Sequence, residues 1–353
     1  MELQMRAGAI RGRLSRRAFV AGGAAVGTCA AVLTVVDAYR RSARAGSVVQ
    51  ARIGVFGGTS YENNYYLYDP WVAALRQLGY VEGQNLSIEW RWTDALSGTD
   101  PDGDLRELAA DLLQVPVDLI LAATTQSARA AMQMTRTTPI VMVSPVAPVE
   151  SGLVASLVHP GGNVTGVAGS RPGLAEKRLE LLSQVVPDAN RVAVIWNPTE
   201  PASHTDWLEV QRAASRLDIT LTAFEATHAD ALSSVLQAVA DDGARALLVL
   251  QHPLFHVNRK RIVAFATTSR LPTVSFSGQW VELGLLMAYG PNGPAYYRTA
   301  ATVVDKVLRG RNPADLPVEL PTVFDLLVNA HTIEALGLSV PPDVAAQVTD
   351  WVR

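Results

Sequence analysis

Residues 117–131 read VDLILAATTQSARAA, and this stretch decides the fold. Its unbroken apolar run is typical of a strand that is buried on both faces of a parallel sheet. The polar turn that follows, beginning at Thr124, leads directly into an alanine-rich helix. Strand–turn–helix units that alternate along a chain predict an α/β fold built on parallel strands.

The order of these units occurs twice in the chain. RIGVF, VDLILAAT and PIVMVS are followed, about 130 to 140 residues later, by RVAVIW, ARALLVLQ and LPTVSFS. Self-similarity at a nearly fixed offset indicates duplication of one doubly wound unit. We therefore expect two Rossmann-like lobes with parallel sheets, facing each other across a cleft.

The first 45 residues are typical of a twin-arginine signal peptide. Its features are two adjacent arginines, an apolar run and a small-x-small cleavage site, found at Arg16, Arg17, residues 18–36, Ala43 and Ala45. We predict a periplasmic or other extracytoplasmic location, with the twin-arginine translocase as the partner during export. The apolar run is also about long enough to cross a bilayer, so a retained N-terminal membrane anchor is the alternative.

Composition excludes several classes of chemistry. The single cysteine, Cys29, lies inside the predicted leader, so the mature chain has no thiol for a disulfide, a metal or a nucleophile. A net charge of -3 gives no basis for binding nucleic acid.

Motifs of catalysis and of cofactor binding are missing from the sequence. It contains no HExxH, no G-x-S-x-G, no P-loop and no G-x-G-x-x-G. His252 and His256 are spaced four apart, as two metal ligands on a helix could be, but Pro253 lies between them and no carboxylate follows at a useful spacing. We expect neither an enzyme nor a cofactor.

Ligands of open parallel sheets bind beyond the carboxyl ends of the strands. Backbone N–H groups at a helix start, with nearby hydroxyls, hold a carboxylate well, which favours a small polar or zwitterionic solute. Ser, Thr and Asn at these places are also ordinary helix caps. The tyrosine cluster YENNYYLYDPW at 61–71 either stacks on an aromatic or apolar ligand or simply covers a lobe. The candidate ligand-binding residues are Thr59, Ser60, Tyr61, Thr124, Thr125, Gln126, Ser144, Trp196, Asn197, Gln251, His252, Ser275 and, at a crossover, Tyr289.

Several separated motifs resemble one known family. They include ALRQLGYVEGQNLSIEWRW, LVASLVHPGGNVTGVAG, EKRLELLSQVVPDANRVAVIWNP and HTIEALGLSVPP, and the resemblance extends over residues 52–342. This pattern is similar to the ABC transporter substrate-binding protein family that includes tryptophan-binding proteins of the TrpX type. The resemblance implies a type I periplasmic-binding-protein fold with three crossovers, an amino acid or related small acid as ligand, and an ABC permease and ATPase as partners.

Lobe boundaries follow from the repeat and the resemblance together. The first lobe is expected at 51–165 with a returning segment at about 287–315, and the second at 170–285 with a closing segment at about 318–345. The crossovers are expected near 161–169, 286–294 and 316–327, and HPGGNVTG at 159–166 is interpreted as a turn between lobes.

Three turns depart from the family pattern. Ala147 stands where the family usually has the aspartate of an Asp-Pro-Val turn, and His252 stands where an acidic residue is common. The common Gly-Thr-Pro-Ala turn is replaced by TTQSA, which keeps a hydroxyl at Thr124 or Thr125. These changes indicate that the ligand differs from a standard α-amino acid.

Two functions of different classes remain open at this point. The first is the extracytoplasmic solute-binding protein of an ABC importer. The second is a membrane-anchored ligand-sensing module of a signalling system. The mass of the exported protein separates the two, because removal of residues 1–45 would exclude an anchor.

Overall fold

A computed structural model describes residues 50–57, 61–92 and 101–353 of the chain. The predicted leader, with Arg16, Arg17, Ala43 and Ala45, lies outside these ranges, as do Thr59 and Ser60. None of the helices in the described ranges combines the length and the apolar character needed to span a bilayer.

The strands of the described chain form two sheets. The first contains β1 (Ala51–Gly57), β2 (Leu86–Trp92), β3 (Leu119–Ala122), β4 (Ile140–Val143) and β5 (Val164–Val167). The second contains β6 (Arg191–Trp196), β7 (Thr220–Glu225), β8 (Ala246–Val249), β9 (Thr273–Ser275), β10 (Met287–Pro291), β11 (Phe324–Asn329) and β12 (Asp350–Val352).

Helices connect most of these strands. In chain order they are α1 (Tyr61–Gln77), α2 (Pro101–Leu112), α3 (Thr125–Met134), α4 (Leu174–Val185), α5 (Pro201–Leu217), α6 (Leu232–Asp242), α7 (Pro253–Val257), α8 (Arg259–Thr268), α9 (Gln279–Glu282), α10 (Gly293–Leu308), α11 (Ala330–Leu336) and α12 (Pro342–Ala345). The described ranges also contain two short 3-10 turns, Ala229–Ala231 and Pro313–Asp315.

The strand orders of the two sheets are the same over five strands. The first sheet runs β2-β1-β3-β4-β5 and the second contains β7-β6-β8-β9-β10, with every neighbouring pair parallel. This confirms the α/β fold of two doubly wound lobes. The second sheet adds β11, which is antiparallel to β10, and β12, which is parallel to β11. The second sheet is therefore mostly parallel, with one antiparallel pair at β10 and β11.

Helix α10 follows a strand of the second sheet but packs on the first. Its apolar face, including Tyr297 and Val304, is buried with Val55, Trp71 and Leu75 of the first lobe. Conversely, α4 follows β5 of the first sheet and packs with the second-sheet strands β6 and β8. The third crossing leads from α10, on the first sheet, to β11 in the second, so the chain crosses between the sheets three times.

The crossings are shorter than the sequence suggested. Strand β5 fills Val164–Val167, β10 fills Met287–Pro291, and β11 begins at Phe324, so each expected crossover segment is partly strand. In particular, HPGGNVTG is not a turn throughout, because its end forms the edge strand of the first sheet. Buried backbone favours strand pairing here, since Ile140 and Val164 lie side by side in adjacent strands.

Candidate functional site

A cavity of about 350 Å³ lies between the two sheets, at the carboxyl ends of their strands. Both lobes and the crossing segments contribute to its wall. Its lining includes Gly57, Asn64, Tyr66, Leu67, Thr124, Thr125, Ser144, Val146, Gly169, Gln251, His252, His256, Phe276, Ser277, Gln279, Glu282, Gly290, Asn292, Tyr296, Asp325 and Leu327.

On the first-lobe side, the N-terminus of α3 forms part of the cavity wall. The Thr124 hydroxyl accepts a 3.0 Å hydrogen bond from the Ser127 N–H, and the Ser127 hydroxyl accepts a 2.9 Å bond from the Thr124 N–H. The Thr125 hydroxyl accepts a 3.3 Å bond from the Val146 N–H of the loop after β4. Both hydroxyls thus stabilise the turn, which leaves the Thr125 and Gln126 N–H groups at the start of α3 for a ligand.

Ser144 follows β4 and has a strained backbone conformation at the cavity wall. Its φ of 69° lies in the left-handed region, which is unfavourable for a residue with a Cβ. Two contacts hold it there: its N–H donates to the Val167 carbonyl at 3.0 Å, and its hydroxyl accepts a 3.3 Å bond from Tyr296. A Cβ on the adjacent Gly169 would lie 2.5 Å from the Ser144 hydroxyl, so only glycine fits there.

On the second-lobe side, His252 caps helix α7 and presents a free ring N–H. Its Nδ1 accepts a 3.1 Å hydrogen bond from the Leu254 N–H, which places the proton of the neutral ring on Nε2. That Nε2 is buried without a partner, and the side chain is only 9 % exposed. Burial lowers the pKa of His252 to about 4, so the ring is neutral at pH 7.

Two amides and a second histidine continue this wall. The side-chain oxygens of Gln251 and Gln279 are buried without a hydrogen-bond partner. Burial, together with the Arg259 guanidinium, lowers the pKa of His256 to about 3. Buried polar atoms are normally satisfied, so unpaired ones that line a cavity indicate where a ligand binds.

Aromatic rings supply most of the apolar lining. Tyr66 comes from α1, Phe276 follows β9, and Tyr296 lies in the first turns of α10. Burial raises the pKa of Tyr66 and of Tyr296, so both hydroxyls are neutral. Rings from three separate elements around a cavity of this size suit a flat or aromatic ligand.

The floor of the cavity is formed by the crossing segments. Asn292 caps α10, since its side-chain oxygen accepts a 2.8 Å hydrogen bond from the Ala295 N–H. Its Nδ2 donates to the Asp325 carboxylate, also at 2.8 Å. Asp325 lies in β11, opposite Gly290 of β10. One hydrogen bond therefore joins two of the three segments that connect the lobes.

The structure brings together five of the residues predicted from strand ends. Thr124, Thr125, Ser144, Gln251 and His252 all line the cavity. The lobes thus meet at the edge of the sheets that the position of the strand ends indicates.

Two other predicted residues are buried in the second lobe away from the cavity lining. Trp196 packs between His204 and Trp207, with ring centroids 5.2 and 5.5 Å away. The side-chain oxygen of Asn197 accepts hydrogen bonds from the N–H and the hydroxyl of Thr199 at 2.9 and 2.7 Å, so it closes a local turn. Strand pleating points the last residue of β6 into the core. The rule that ligands bind beyond the carboxyl ends of strands, called here the strand-end rule, does not take this direction into account.

The remaining predicted residues also serve the fold. Ser275 is fully buried and donates to the Ser277 carbonyl at 3.4 Å. Tyr289 stacks on Phe324, with ring centroids 6.2 Å apart. Tyr61 donates a hydrogen bond to Asp69 and packs on Trp90.

Gln126, which is also absent from the cavity lining, contacts the opposite lobe. Its amide donates to the Glu200 carboxylate at 3.3 Å.

Sequence reasoning missed most of the second-lobe and floor residues. Applying the strand-end rule to β10 would have indicated Asn292, and a charged residue within the apolar VFDLLVN stretch could have indicated Asp325. Gln279 carried no signal, because α9 is a single short turn after a strand of three residues.

Comparison with known proteins gives a consistent result. A sequence profile described as ABC transporter substrate binding protein matches residues 53–352. A protein named "Tyrosine-binding protein" from Clostridioides difficile (strain R20291) is 27% identical over 272 residues, which is 76% of this chain and 75% of that protein.

Two solved structures share the fold. An ABC domain in complex with L-Trp from Streptococcus pneumonia has a TM-score of 0.79 at 22% identity, covering 86% of this chain and 100% of that one. A ligand-free, open substrate binding protein with adhesive properties from Clostridium difficile has a TM-score of 0.65 at 24% identity, covering 86% and 99%.

Proposed function

The chain belongs to the ABC transporter substrate-binding protein family, and we propose that it captures an aromatic amino acid for an ABC permease and ATPase. Like its relatives, it is a solute-binding protein and not an enzyme. Substrate-binding proteins of ABC transporters act outside the cytoplasm, which agrees with the predicted twin-arginine leader over residues 1–45.

The observation that carries the proposal is the cavity between the sheets. Three rings, Tyr66, Phe276 and Tyr296, line a space of about 350 Å³. An aromatic side chain fits such a space and stacks on rings of this kind. Relatives named for tyrosine binding or solved with L-Trp support the same class of ligand, and we favour it over the non-standard ligand that the three altered turns predicted.

The polar groups suit the head of an amino acid. We assign its carboxylate to the N–H groups that open α3 at Thr125 and to the Nε2–H of His252. A helix N-terminus carries partial positive charge and unpaired donors, so it favours an anion without a cationic side chain. The unpaired oxygens of Gln251 and Gln279 are acceptors for N–H or O–H donors of the ligand.

Binding is proposed to close the two lobes, and the closed form is proposed to be what the permease recognises. The proposed moving bodies are 51–165 with 287–315, and 170–285 with 318–345. Because the cavity wall comes from both bodies, a ligand that contacts both walls favours the closed form.

Titration against the standard amino acids and small carboxylic acids tests this function. We expect L-tyrosine or L-tryptophan to raise the melting temperature and to bind at one site per chain by calorimetry. Tyr66→Ala should weaken binding about tenfold or more, because the ring lines the cavity. Tyr65→Ala is the matched control, because Tyr65 is its neighbour but is 56% exposed. No shift with any aromatic amino acid would reject the proposal.

A further inference from the structure

The charged residues that line the cavity are acidic, and the Arg259 guanidinium, which acts on the lining residues Tyr66 and His256, is itself outside the lining. Among its described lining residues, Asp325 and Glu282 are acidic and there is no lysine or arginine. The two lining histidines are neutral at pH 7, because burial lowers their pKa to about 4 and about 3. Residues 58–60 and 93–100, which separate the described ranges, contain no lysine or arginine in the sequence either.

The two acids differ in position. Glu282 is exposed, so water screens its charge. Asp325 is partly buried on the cavity floor, where one carboxylate oxygen accepts the hydrogen bond from Asn292. No ion pair with Asp325 forms within the described part of the chain. A partly buried carboxylate with one neutral donor is stabilised by a cation.

The groups available to bind a ligand carboxylate attract it less strongly than the Asp325 carboxylate attracts an ammonium. The α3 N-terminus and the neutral His252 ring offer dipoles but no full charge. A helix N-terminus changes an affinity by at most about 30-fold, and usually by less than tenfold. Removing one member of a buried, hydrogen-bonded charge pair commonly costs about 30-fold or more, and Asp325 becomes a member of such a pair once a ligand covers the cavity floor.

From this asymmetry we propose that Asp325 binds the cationic nitrogen of the ligand, and that the cavity selects aromatic amines, with the ligand carboxylate of secondary importance. Decarboxylated aromatic amino acids are therefore ligands in their own right, whereas deaminated ones are not. The inference rests on the proposed function, since it takes the same cavity as the binding site.

The position of Asp325 also links ligand binding to the crossing segments. Asp325 lies in β11, and Asn292 lies between β10 and α10. An ammonium bound beside their hydrogen bond contacts both segments at once. Asp325 is thus both a specificity-determining residue and a contact between the ligand and the region about which the lobes move.

Three tyrosine-derived compounds test the inference on the full wild-type chain by calorimetry. They are L-tyrosine, tyramine, which lacks the carboxylate, and 3-(4-hydroxyphenyl)propionate, which lacks the amine. We expect tyramine to bind within about tenfold of L-tyrosine, and the propionate at least 30-fold more weakly. Equal binding of the propionate and L-tyrosine, or failure of tyramine to bind where L-tyrosine does, would overturn the inference.

Variants then assign the effect to one side chain. Asp325→Asn should weaken both amines at least 30-fold and leave the propionate within about threefold, whereas Asp325→Glu should retain the preference for amines. Asp350→Asn is the matched control, because Asp350 is an exposed aspartate in the neighbouring strand β12 and is not among the described residues that line the cavity. It should change each affinity by less than about threefold. Unchanged amine binding by a folded Asp325→Asn protein would contradict the assignment.

A last set of ligands separates this inference from the proposed function. If no tyrosine-derived compound binds, putrescine and L-lysine are titrated in the same way. Binding that depends on Asp325 would then support the amine preference and reject only the aromatic class. Absence of binding by every amine would overturn both.

Discussion

The Glu200 carboxylate lies 3.4 Å from the Arg129 guanidinium, in an ion pair that spans the cleft. Arg129 belongs to α3 of the first lobe, and Glu200 is the residue just before α5 of the second. Gln126, one turn earlier in α3, donates to the same carboxylate. These contacts exist only while the two lobes are together, so they stabilise the closed arrangement.

Removing this contact should weaken ligand binding without touching the cavity. We expect Glu200→Gln to raise the Kd about two- to fivefold, because partly exposed ion pairs contribute up to about 1 kcal/mol and closure becomes less favourable. Calorimetry measures the Kd, and small-angle scattering should show a larger ligand-free radius of gyration. Glu180→Gln is the control, since Glu180 pairs with Lys177 and Arg216 inside one lobe. Equal effects of both substitutions would contradict this role.

Acid should destabilise the protein through His252, which is buried, and His256, which is partly buried. Burial lowers the pKa of His252 to about 4 and of His256 to about 3, whereas the unfolded chain protonates both near pH 6.5. The unfolded state therefore binds more protons below that pH. The histidine contribution to stability is complete above pH 6.5 and is lost as the pH falls towards 4 and then 3.

Urea unfolding at pH 7.5, 5.5 and 4.5 measures this dependence. His252→Asn and His256→Gln should each reduce the slope of unfolding free energy against pH by up to about 1.4 kcal/mol per unit between pH 6 and 4. His331→Gln, at an exposed position, serves as the reference variant. A slope unchanged in both cavity variants would show that the rings are protonated in the folded protein.

Gly290 allows a close backbone contact at the cavity floor. A Cβ at this position would lie 2.2 Å from the Phe276 carbonyl oxygen, which is a backbone atom and cannot rotate away. We expect Gly290→Ala to cost about 1 to 3 kcal/mol of unfolding free energy and to weaken ligand binding, because β9 and β10 must separate. Gly162→Ala is the comparison, since a Cβ added there would have no neighbouring atom within 4 Å, and it should change stability by less than about 1 kcal/mol. Similar losses in both variants would refute the steric explanation.

Arg178 is the buried charge on which the second lobe depends. It is fully buried, its Nε donates to the Tyr289 carbonyl at 2.7 Å, and the carboxyl groups of Asp206 and Glu209 interact with it. Burial raises the pKa of Asp206 to about 7, against the attraction of the guanidinium. Arg178→Met leaves both acids without a cation, so we expect a loss of about 3 to 5 kcal/mol in urea unfolding.

A surface arginine provides the control for that loss. The Arg216 side chain is 54% exposed and pairs with Glu176 and Glu180. Arg216→Met should cost no more than about 1 kcal/mol. Comparable stability of the Arg178→Met protein and the wild type would show that the buried charges are not coupled.

The sequence predicted the duplicated part of the fold well, for a physical reason. Buried parallel strands require continuous apolar runs, and such runs can be recognised directly in the sequence. They mark six strands in a repeating order: β1, β3, β4, β6, β8 and β9. Strands β11 and β12 lie outside the repeat, and the antiparallel pairing of β11 with β10 carries no comparable pattern. Asp325, the proposed anchor for the ligand amine, lies in that unpredicted part.

Side-chain direction explains the remaining differences at the site. Thr124, Ser144 and Gln251 follow their strands and face the cavity, whereas Trp196 is the last residue of β6 and faces the core. A shift of one residue along a strand reverses the face, and a strand-end rule does not specify the register. Gln126 is displaced for another reason, because it pairs with Glu200 across the cleft.

A crystal structure of the protein grown with L-tyrosine tests the central claim most directly. We expect one molecule in the cavity, with its ring among Tyr66, Phe276 and Tyr296, its ammonium on Asp325, and its covalent structure unaltered. An empty cavity at saturating L-tyrosine, or density for a ligand bound outside the space between the two sheets, would contradict the account.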